Sequence, residues 1–266
     1  YSDTNGNNWE KYSSEMFEGK GSFGNGGAMR VAPLAAFFST IVDEEEQEQE
    51  QNKNSATTMV LPESIITKVI NEANASAKIT HYNIEGQHGA IATALATAFA
   101  NSAYCHNQAK LIKETNEKNG ALRVGIEMIE FVLEQMMKTS SSTIVSETIK
   151  GIQQIHKLLQ DEYNQTSAAT VEQVTELVGN GENVSSQDTV PFCLWICAKH
   201  LFNFEEAMWQ CVSGLGDRDT TCAIVGGVVA CSACTSINDF PKVCAFNCAL
   251  VCSNSLKKCV GMAYGS

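Results

Sequence analysis

The stretch IATALATAF, residues 91–99, decides the fold class of this sequence. Leu95 lies four positions after Ile91, and Ala98 and Phe99 lie three and four positions after Leu95, which is the spacing of one face of an α-helix. Two further stretches, 122–136 and 145–159, repeat that spacing. No convincing run of alternating apolar and polar residues predicts strands, and only 4 prolines interrupt the 266 residues. The sequence therefore predicts an all-α protein in which these stripes are core rather than cofactor sites.

The chain is expected to form a single compact multi-helix domain over residues 1–266, since no internal repeat divides it. One segment departs from this pattern: DEEEQEQEQNKN, residues 43–54, is of low complexity and lacks apolar residues. It is expected to be a solvated acidic loop or helix end, with an acidic interaction tail as the alternative. Further helices are predicted near 27–40, 61–78, 169–178, 188–201, 204–213, 219–236 and 241–258.

Composition excludes several classes of function. The net charge is −12 and no cluster of Lys and Arg is present, so no direct contact with nucleic acid is expected. No apolar run is long enough to span a bilayer, and the run 222–233 has the length of a core helix, so no membrane partner is expected.

The 11 cysteines favour a reducing, intracellular location in the cytoplasm or nucleus. Most of them lie in apolar helical runs, where a free cysteine behaves as a small hydrophobic residue. Cys231 and Cys234 have the spacing of half a zinc site, but no second pair stands at a matching distance. Core packing is therefore the favoured interpretation of these residues.

The stretch GLGDRDTTCAIVGGVVA, residues 214–230, places polar chemistry at the start of an apolar helix. Capping of the free N–H groups at the helix start is one explanation, and a single carboxylate would satisfy it. Asp217 and Asp219 instead bring two like charges together, which a hard cation would relieve. With the Thr220 hydroxyl they offer oxygen ligands of the kind that Mg²⁺ prefers. Capping and metal binding both remain open.

Two other stretches carry candidate ligand-binding residues. GKGSFGNGGAMRVAP, residues 19–33, has five glycines before an apolar helix. Such a loop lets backbone N–H groups approach an anion, although a plain loop-to-helix entry is the alternative. THYNIEGQHGA, residues 80–90, places His81 and His88 in a predicted polar linker, where each is either an exposed histidine or a ligand contact.

These stretches together resemble the ADP-ribosylhydrolases, also called ADP-ribosylglycohydrolases, with motifs nearest to the serine-ADP-ribose hydrolase type. The likeness runs from about Phe17 to about Ala233, and each piece occurs in the family's order. Its pieces are GNGGAMRVAP (24–33), the loop around His81, LVGNG (177–181) with TVPFCLWI (189–196), and GDRDTTCAIVGG (216–227).

The resemblance implies an all-α fold with two Mg²⁺ ions in a cleft. It implies hydrolysis of the bond at the anomeric ribose carbon of ADP-ribose, linked to a protein side chain or to another ADP-ribose. The partners would be ADP-ribosylated proteins or ADP-ribose polymers, with free ADP-ribose as the product. The implied metal ligands are Asp217, Asp219 and Thr220; the diphosphate and ribose loop has Gly21, Ser22, Gly24 and Asn25; the adenine-stacking rings are Phe17 and Phe23; and His81 contacts the ligand.

Two departures from the family pattern shape the functional hypotheses. Arg218 stands where many members have a small residue, and the upstream acidic ligand motif and catalytic glutamate of the family are not found in this sequence. We therefore expect an N-terminal part before Tyr1 to carry the catalytic residue, and little activity from this chain alone. The alternatives are a catalytically inactive ADP-ribose-binding or crystallin-like structural relative, and an unrelated helical scaffold.

Overall fold

The computed structural model describes residues 8–40, 61–139 and 145–233. Within these ranges the chain forms twelve helices and a single isolated β-bridge, which confirms the all-α prediction. The acidic segment 43–54 and the predicted helix 241–258 lie outside the described residues. The helices are α1 (Trp9–Gly19), α2 (Gly26–Met29), α3 (Ala32–Phe38), α4 (Glu63–Lys78), α5 (Ile84–Ala100), α6 (Ala103–Thr115), α7 (Gly120–Thr139), α8 (Glu147–Tyr163), α9 (Val171–Val178), α10 (Ser186–Lys199), α11 (Phe204–Ser213) and α12 (Arg218–Ala233).

Helix α5 is the centre of the packing. It contacts α2, α3 and α4 on one side and α7, α10 and α12 on the others. The sequence pattern predicts one apolar face, but Ala92, Ala94 and Ala96 are as fully buried as Leu95. Because alanine side chains are small, neighbouring helices approach α5 from every direction. The helix is therefore an internal axis rather than a surface helix with one buried stripe.

Helix α10 is a second buried helix and packs against α5, α7, α8, α9 and α12. Its largest side chains, Phe192 and Trp195, are within the fully buried part of the core. Burial of each such side chain contributes roughly 1.5–3 kcal/mol. This packing holds the N-terminal end of α10, Ser186, close to the loop that precedes α2, and so it positions the candidate site described below.

The structure differs from the predicted helices in two places. The predicted helix 27–40 is interrupted between Met29 and Ala32, because Pro33 has no backbone N–H to donate to the Met29 carbonyl oxygen and its ring crowds that carbonyl group. The apolar spacing also does not predict α1 or α6. Among residues with described side chains, α1 buries only Ser13 and α6 buries only Cys105, so neither helix has an apolar stripe to detect.

The described helices were also compared with the length and apolarity that a membrane span needs. None of them is long and apolar enough to cross a bilayer.

Gly125 lets α7 pack directly against the backbone of α10. A methyl group added there would overlap the carbonyl group of Ala198. We therefore expect Gly125→Ala to lower the free energy of unfolding by about 1–3 kcal/mol, seen as a lower urea midpoint.

Gly226 in α12 provides the matched control. A methyl group added there would lie 3.5 Å from the Met208 sulfur, which is an ordinary contact. Gly226→Ala is expected to leave stability unchanged or to raise it by up to about 1 kcal/mol, since glycine costs a helix entropy. Equal urea midpoints for the two variants would contradict this account of the α7–α10 contact.

Candidate functional site

The glycine loop, residues 21–25, lies on the N-terminal end of α5. The Asn83 backbone N–H donates to the Ser22 carbonyl oxygen at 3.2 Å, and the Asn83 side-chain amide donates to the Lys20 carbonyl oxygen at 2.8 Å. Gly21 has a φ of +68°, and a Cβ there would lie 2.7 Å from the Asn83 nitrogen. Only glycine fits this turn without strain, so the loop is held tightly against α5.

A second loop, residues 179–185, packs against the other side of the glycine loop. Gly24 and Ser185 form the isolated antiparallel bridge. The Asn25 N–H donates to the Val184 carbonyl oxygen at 3.2 Å, and the Ser186 N–H donates to the Phe23 carbonyl oxygen at 2.9 Å. Residues 23–25 and 184–186, which are far apart in sequence, are thus hydrogen-bonded neighbours.

The acidic turn, residues 216–220, joins α11 to α12. Asp217 directly precedes α12, and hydrogen bonding with the Thr220 backbone and side chain lowers the pKa of its carboxyl group, as expected of a residue in the N-cap position. This agrees with the capping interpretation of Asp217. Asp219 lies two residues further on and is exposed. Its carboxyl group is close enough to that of Asp217 to form a hydrogen bond with it.

The electrostatic environment of Asp217 favours its charged form. Partial burial raises the pKa of Asp217, but a protonated Asp219 carboxyl group, the Asn25 amide and Thr220 can each donate to its carboxylate, and together they lower the pKa of Asp217. The carboxylate is therefore ionised at neutral pH. Capping explains the interaction of Asp217 with Thr220. It does not explain why the carboxyl group of Asp219 lies so close to that of Asp217.

Asn25 connects the glycine loop to the acidic turn. Its side chain is 3% exposed, and its Nδ2 donates to the Asp217 Oδ2 at 2.9 Å and to the Thr189 Oγ1 at 3.0 Å. Thr189 in turn donates to the Ser185 carbonyl oxygen at 2.7 Å. No spacing rule singles out Thr189 in the sequence, because its role depends on contacts between distant segments.

His81 lies in the loop between α4 and α5, with its ring against the glycine loop. Its Nε2 is 3.1 Å from the position that a Cβ of Gly24 would occupy, and 3.2 Å from that of Gly26. Burial, and then the charge of Arg30, lower the pKa of His81. The ring is therefore neutral at pH 7 and its Nε2 edge faces residues 24–26.

The prediction that His88 lies in a polar linker is wrong. His88 lies within α5, is 8% exposed, and has its Nδ1 2.7 Å from the Ser146 Oγ. Burial lowers the pKa of His88, with Glu85 opposing that effect. Since the helix begins at Ile84 and not after the histidine, His88 is a core residue with a hydrogen-bond partner and not part of the candidate site.

Phe17 and Phe23 form an exposed aromatic pair beside the glycine loop. Their ring centroids are 6.2 Å apart with planes inclined at 43°, and their exposed fractions are 56% and 43%. Phe23 also forms one wall of an open pocket of about 510 Å³ whose other walls come from α8, α9 and α10. Two large exposed rings in one place are typical of a binding surface for a flat apolar group.

The donor atoms of the acidic turn suit a divalent cation in part. Asp217 and Asp219 supply two carboxylates, and Thr220, which is 5% exposed, supplies a hydroxyl oxygen. Within the described ranges no group of three or more His, Cys, Asp or Glu side chains converges. Mg²⁺ keeps several water ligands in most proteins, so these donors fit a single partly hydrated ion. The cysteine-pair alternative cannot be placed, since Cys234 lies outside the described residues.

Removal of the Asn25 side chain tests whether it stabilises the charged form of Asp217. We expect Asn25→Ala to lower the free energy of unfolding at neutral pH by about 1–3 kcal/mol. The pKa of Asp217, followed by carboxyl NMR titration, should rise. A lowered carboxyl pKa stabilises the folded state above the unfolded value of about 3.9, and this is lost in acid, so the stability difference should shrink as the pH falls.

Asn183→Ala is the control for that experiment. Asn183 donates from its side chain to the Asp188 Oδ1 at 3.1 Å, so the substitution removes a similar donor from a different carboxylate. It is expected to leave the pKa of Asp217 at its wild-type value. An unchanged Asp217 pKa in Asn25→Ala would show that the 2.9 Å contact does not stabilise the charge.

Comparison with known proteins places this arrangement in a family. A sequence model described as ADP-ribosylglycohydrolase matches residues 3–237. The chain is 27% identical over 226 residues to the ADP-ribosylhydrolase ARH3 of Homo sapiens, covering 80% of this chain and 51% of that protein. The corresponding proteins of Gallus gallus and Bos taurus are 24% and 25% identical, with 80% of this chain and 50% of each relative covered. The chain thus spans about half the length of these relatives, and because the family match extends over most of the sequence, the chain belongs to the ADP-ribosylglycohydrolase family.

Proposed function

We propose that the protein takes part in the Mg²⁺-dependent removal of ADP-ribose from modified protein side chains or from ADP-ribose polymers. The observation that carries this proposal is the hydrogen bond from Asn25 to Asp217. It joins a loop suited to a diphosphate to a turn suited to a cation. A ligand with a diphosphate at one end and a ribose at the other would contact both at once.

The glycine loop supports the diphosphate part of the proposal. Gly21, Ser22 and Gly24 present backbone and a hydroxyl group with few side-chain atoms in the way, and Ser22 already accepts a hydrogen bond from the Gly24 N–H at 3.2 Å. The neutral His81 ring offers a further ring nitrogen at the same loop. The Gly21 and Gly24 N–H groups already donate to the Met16 carbonyl oxygen and to the Ser22 Oγ, so the donors that these residues offer to phosphate oxygens are the Ser22 hydroxyl and the His81 ring.

The aromatic pair supports the adenine part. Phe23 lies within the glycine loop and Phe17 lies near the end of α1, with its ring beside that of Phe23, so an adenine beside them would belong to a diphosphate held by the same loop. Base stacking on such rings depends on the π-face of the base and not on hydrogen bonds. This explains why two phenylalanines are exposed here at the cost of hydrating their rings.

The acidic turn supports the ribose and cation part. Asp217, Asp219 and Thr220 would hold Mg²⁺, with two ions proposed by analogy with the family. When bound, Mg²⁺ acts as a Lewis acid and lowers the pKa of water. Asn25 keeps the Asp217 carboxylate oriented and charged in the absence of the ion, so the chain's own contribution is preorganisation of the anionic ligands. The catalytic acid or base is not assigned to a described residue.

A second candidate function is ADP-ribose binding without hydrolysis, as in a binding or crystallin-like structural relative. The specific observation in its favour is that only two carboxylates meet in the described part of the site. Such a set suits one weakly held cation better than two. Binding and turnover therefore have to be measured separately.

Asp219→Asn tests the cation site. The substitution removes one of two anionic ligands, so Mg²⁺ affinity should fall by roughly tenfold or more. The measurements, made on the full-length protein, are calorimetric titration of ADP-ribose in Mg²⁺ and in EDTA, and mass spectrometry of ADP-ribosylated serine and arginine peptides. Wild-type turnover of one peptide with loss in the variant supports the hydrolase, whereas wild-type binding without turnover of either peptide supports the second candidate.

Asp161→Asn serves as the control for the loss of one negative charge. Asp161 lies on α8, and the contacts found for it in the described structure are made by its backbone carbonyl. Mg²⁺ affinity should equal the wild-type value. If Asp219→Asn also retains wild-type affinity, Asp219 is not a metal ligand.

Phe23→Ala tests the adenine contact. Loss of a stacking ring is expected to weaken ADP-ribose binding by about 1–3 kcal/mol, as measured by calorimetry. Phe37→Ala is the matched control, because Phe37 is also exposed, at 39%, but pairs with Phe38 on α3. Equal ADP-ribose affinities for the two variants would remove Phe23 from the binding surface.

A further inference from the structure

A series of hydrogen bonds reaches the His81 ring at Nδ1, whereas Nε2 of the ring faces the glycine loop. The Arg30 Nη2 donates to the Ser76 carbonyl oxygen at 2.7 Å and to the Thr80 Oγ1 at 2.8 Å. The Thr80 Oγ1 is also 2.7 Å from the His81 Nδ1. Three segments, the end of α2, the end of α4 and the following loop, are therefore joined in one line.

The direction of the hydrogen bonds in this line follows from Arg30. A guanidinium group only donates, so the Thr80 oxygen is an acceptor toward Arg30. Its own hydrogen is then free to point at His81 Nδ1, and each donor in the line polarises the next. The opposite arrangement would place an Nδ1–H near the positive guanidinium and leave the hydroxyl hydrogen without this acceptor. The ring proton is therefore assigned to Nε2.

The Nε2–H group points toward the glycine loop. It lies 3.1 Å and 3.2 Å from the positions that Cβ atoms of Gly24 and Gly26 would occupy, so larger residues there would cover it. Within the described part of the chain this nitrogen has no hydrogen-bond partner, and it is not counted among the fully buried unpaired atoms. It is therefore a donor that a ligand at the loop can reach.

Other charged groups near His81 are directed elsewhere. Glu85 of α5 accepts hydrogen bonds from the Glu147 and Thr148 backbone N–H groups at the start of α8, at 2.8 Å and 2.9 Å. Lys78 of α4 lies over the Tyr82 ring. Arg30 is thus the neighbouring charge that acts on His81, and it adds to burial in disfavouring the protonated ring.

We infer that Arg30 and Thr80 are positioning residues that hold His81 as a neutral ring with its proton on Nε2, so that His81 donates to an anionic oxygen bound at the glycine loop. Naming that oxygen as part of the ADP-ribose diphosphate rests on the proposed function. The arrangement of the three side chains does not. The hydrogen bonds from Arg30 through Thr80 to His81 would give the glycine loop a donor with a fixed direction. A histidine whose ring rotates freely would offer either an acceptor or a donor.

The tautomer is tested by NMR of ¹⁵N-labelled protein without any ligand. Long-range ¹H–¹⁵N correlation spectra distinguish Nε2–H from Nδ1–H rings, and His81→Gln identifies the His81 signals. We expect an Nε2–H ring in the wild type and in Thr80→Ser, which keeps the hydroxyl. Thr80→Val keeps the shape and removes the hydroxyl, so a mixture of tautomers is expected. Arg30→Gln should raise the pKa of His81, because a positive neighbour is lost.

Ligand affinity provides the second readout. Calorimetry with ADP-ribose should show roughly three- to tenfold weaker binding for Thr80→Val, and a value within about twofold of wild type for Thr80→Ser. The matched control is Thr115→Val, since the Thr115 hydroxyl bonds only within its own helix, to the Leu111 carbonyl oxygen. It should match wild type in both measurements.

The two readouts separate failure of this inference from failure of the proposed function. An Nδ1–H ring in the wild type, or an Nε2–H ring that persists unchanged in Thr80→Val, overturns the inference whatever the ligand. An Nε2–H ring that depends on Thr80, in a protein that binds no ADP-ribose, supports the positioning role and rejects the proposed diphosphate. Since the NMR spectra also report folding, a misfolded Thr80→Val variant is recognised directly, and the tautomer of the wild type together with the pKa of His81 in Arg30→Gln then decides.

Discussion

The hydrogen bond between the Asn25 amide and the Asp217 carboxylate is the interaction on which the rest of the site depends. Asn25 is buried, so its amide needs partners, and it finds them in Asp217 and Thr189. An unpaired amide at this position would carry a desolvation cost, which makes the contact specific as well as stabilising. The glycine loop, the acidic turn and the first turn of α10 are consequently held in one arrangement by a single side chain.

The position of that side chain is set by the two buried helices. Helix α5 supports the glycine loop through Asn83, and α10 carries Ser186 and Thr189 to the same place. Close packing of protein interiors leaves little freedom at such contacts, so polar groups at the ends of these two helices are also held in fixed positions. The packing of α5 and α10 therefore determines how precisely the side chains of the site are placed.

Much of the fold could be predicted from the sequence, whereas the contacts within the site could not. Apolar spacing predicts α5 at residues 91–99, yet it does not reveal burial on all sides, because alanine is neutral in such a pattern. The ordered motifs predict Asn25 and Asp217 as site residues without showing that they touch. Thr80 and Arg30 have no distinctive spacing, since their relation to His81 arises only when α2 and α4 pack together.

The contact between Asn25 and Asp217 also has a consequence for how the molecule folds. Its partners are 192 positions apart in the chain. Loop-closure entropy makes contacts of such long range late events, formed only after the local helices have assembled. In a newly synthesised polypeptide the Asn25 amide would therefore remain without its Asp217 partner until the start of α12 has left the ribosome.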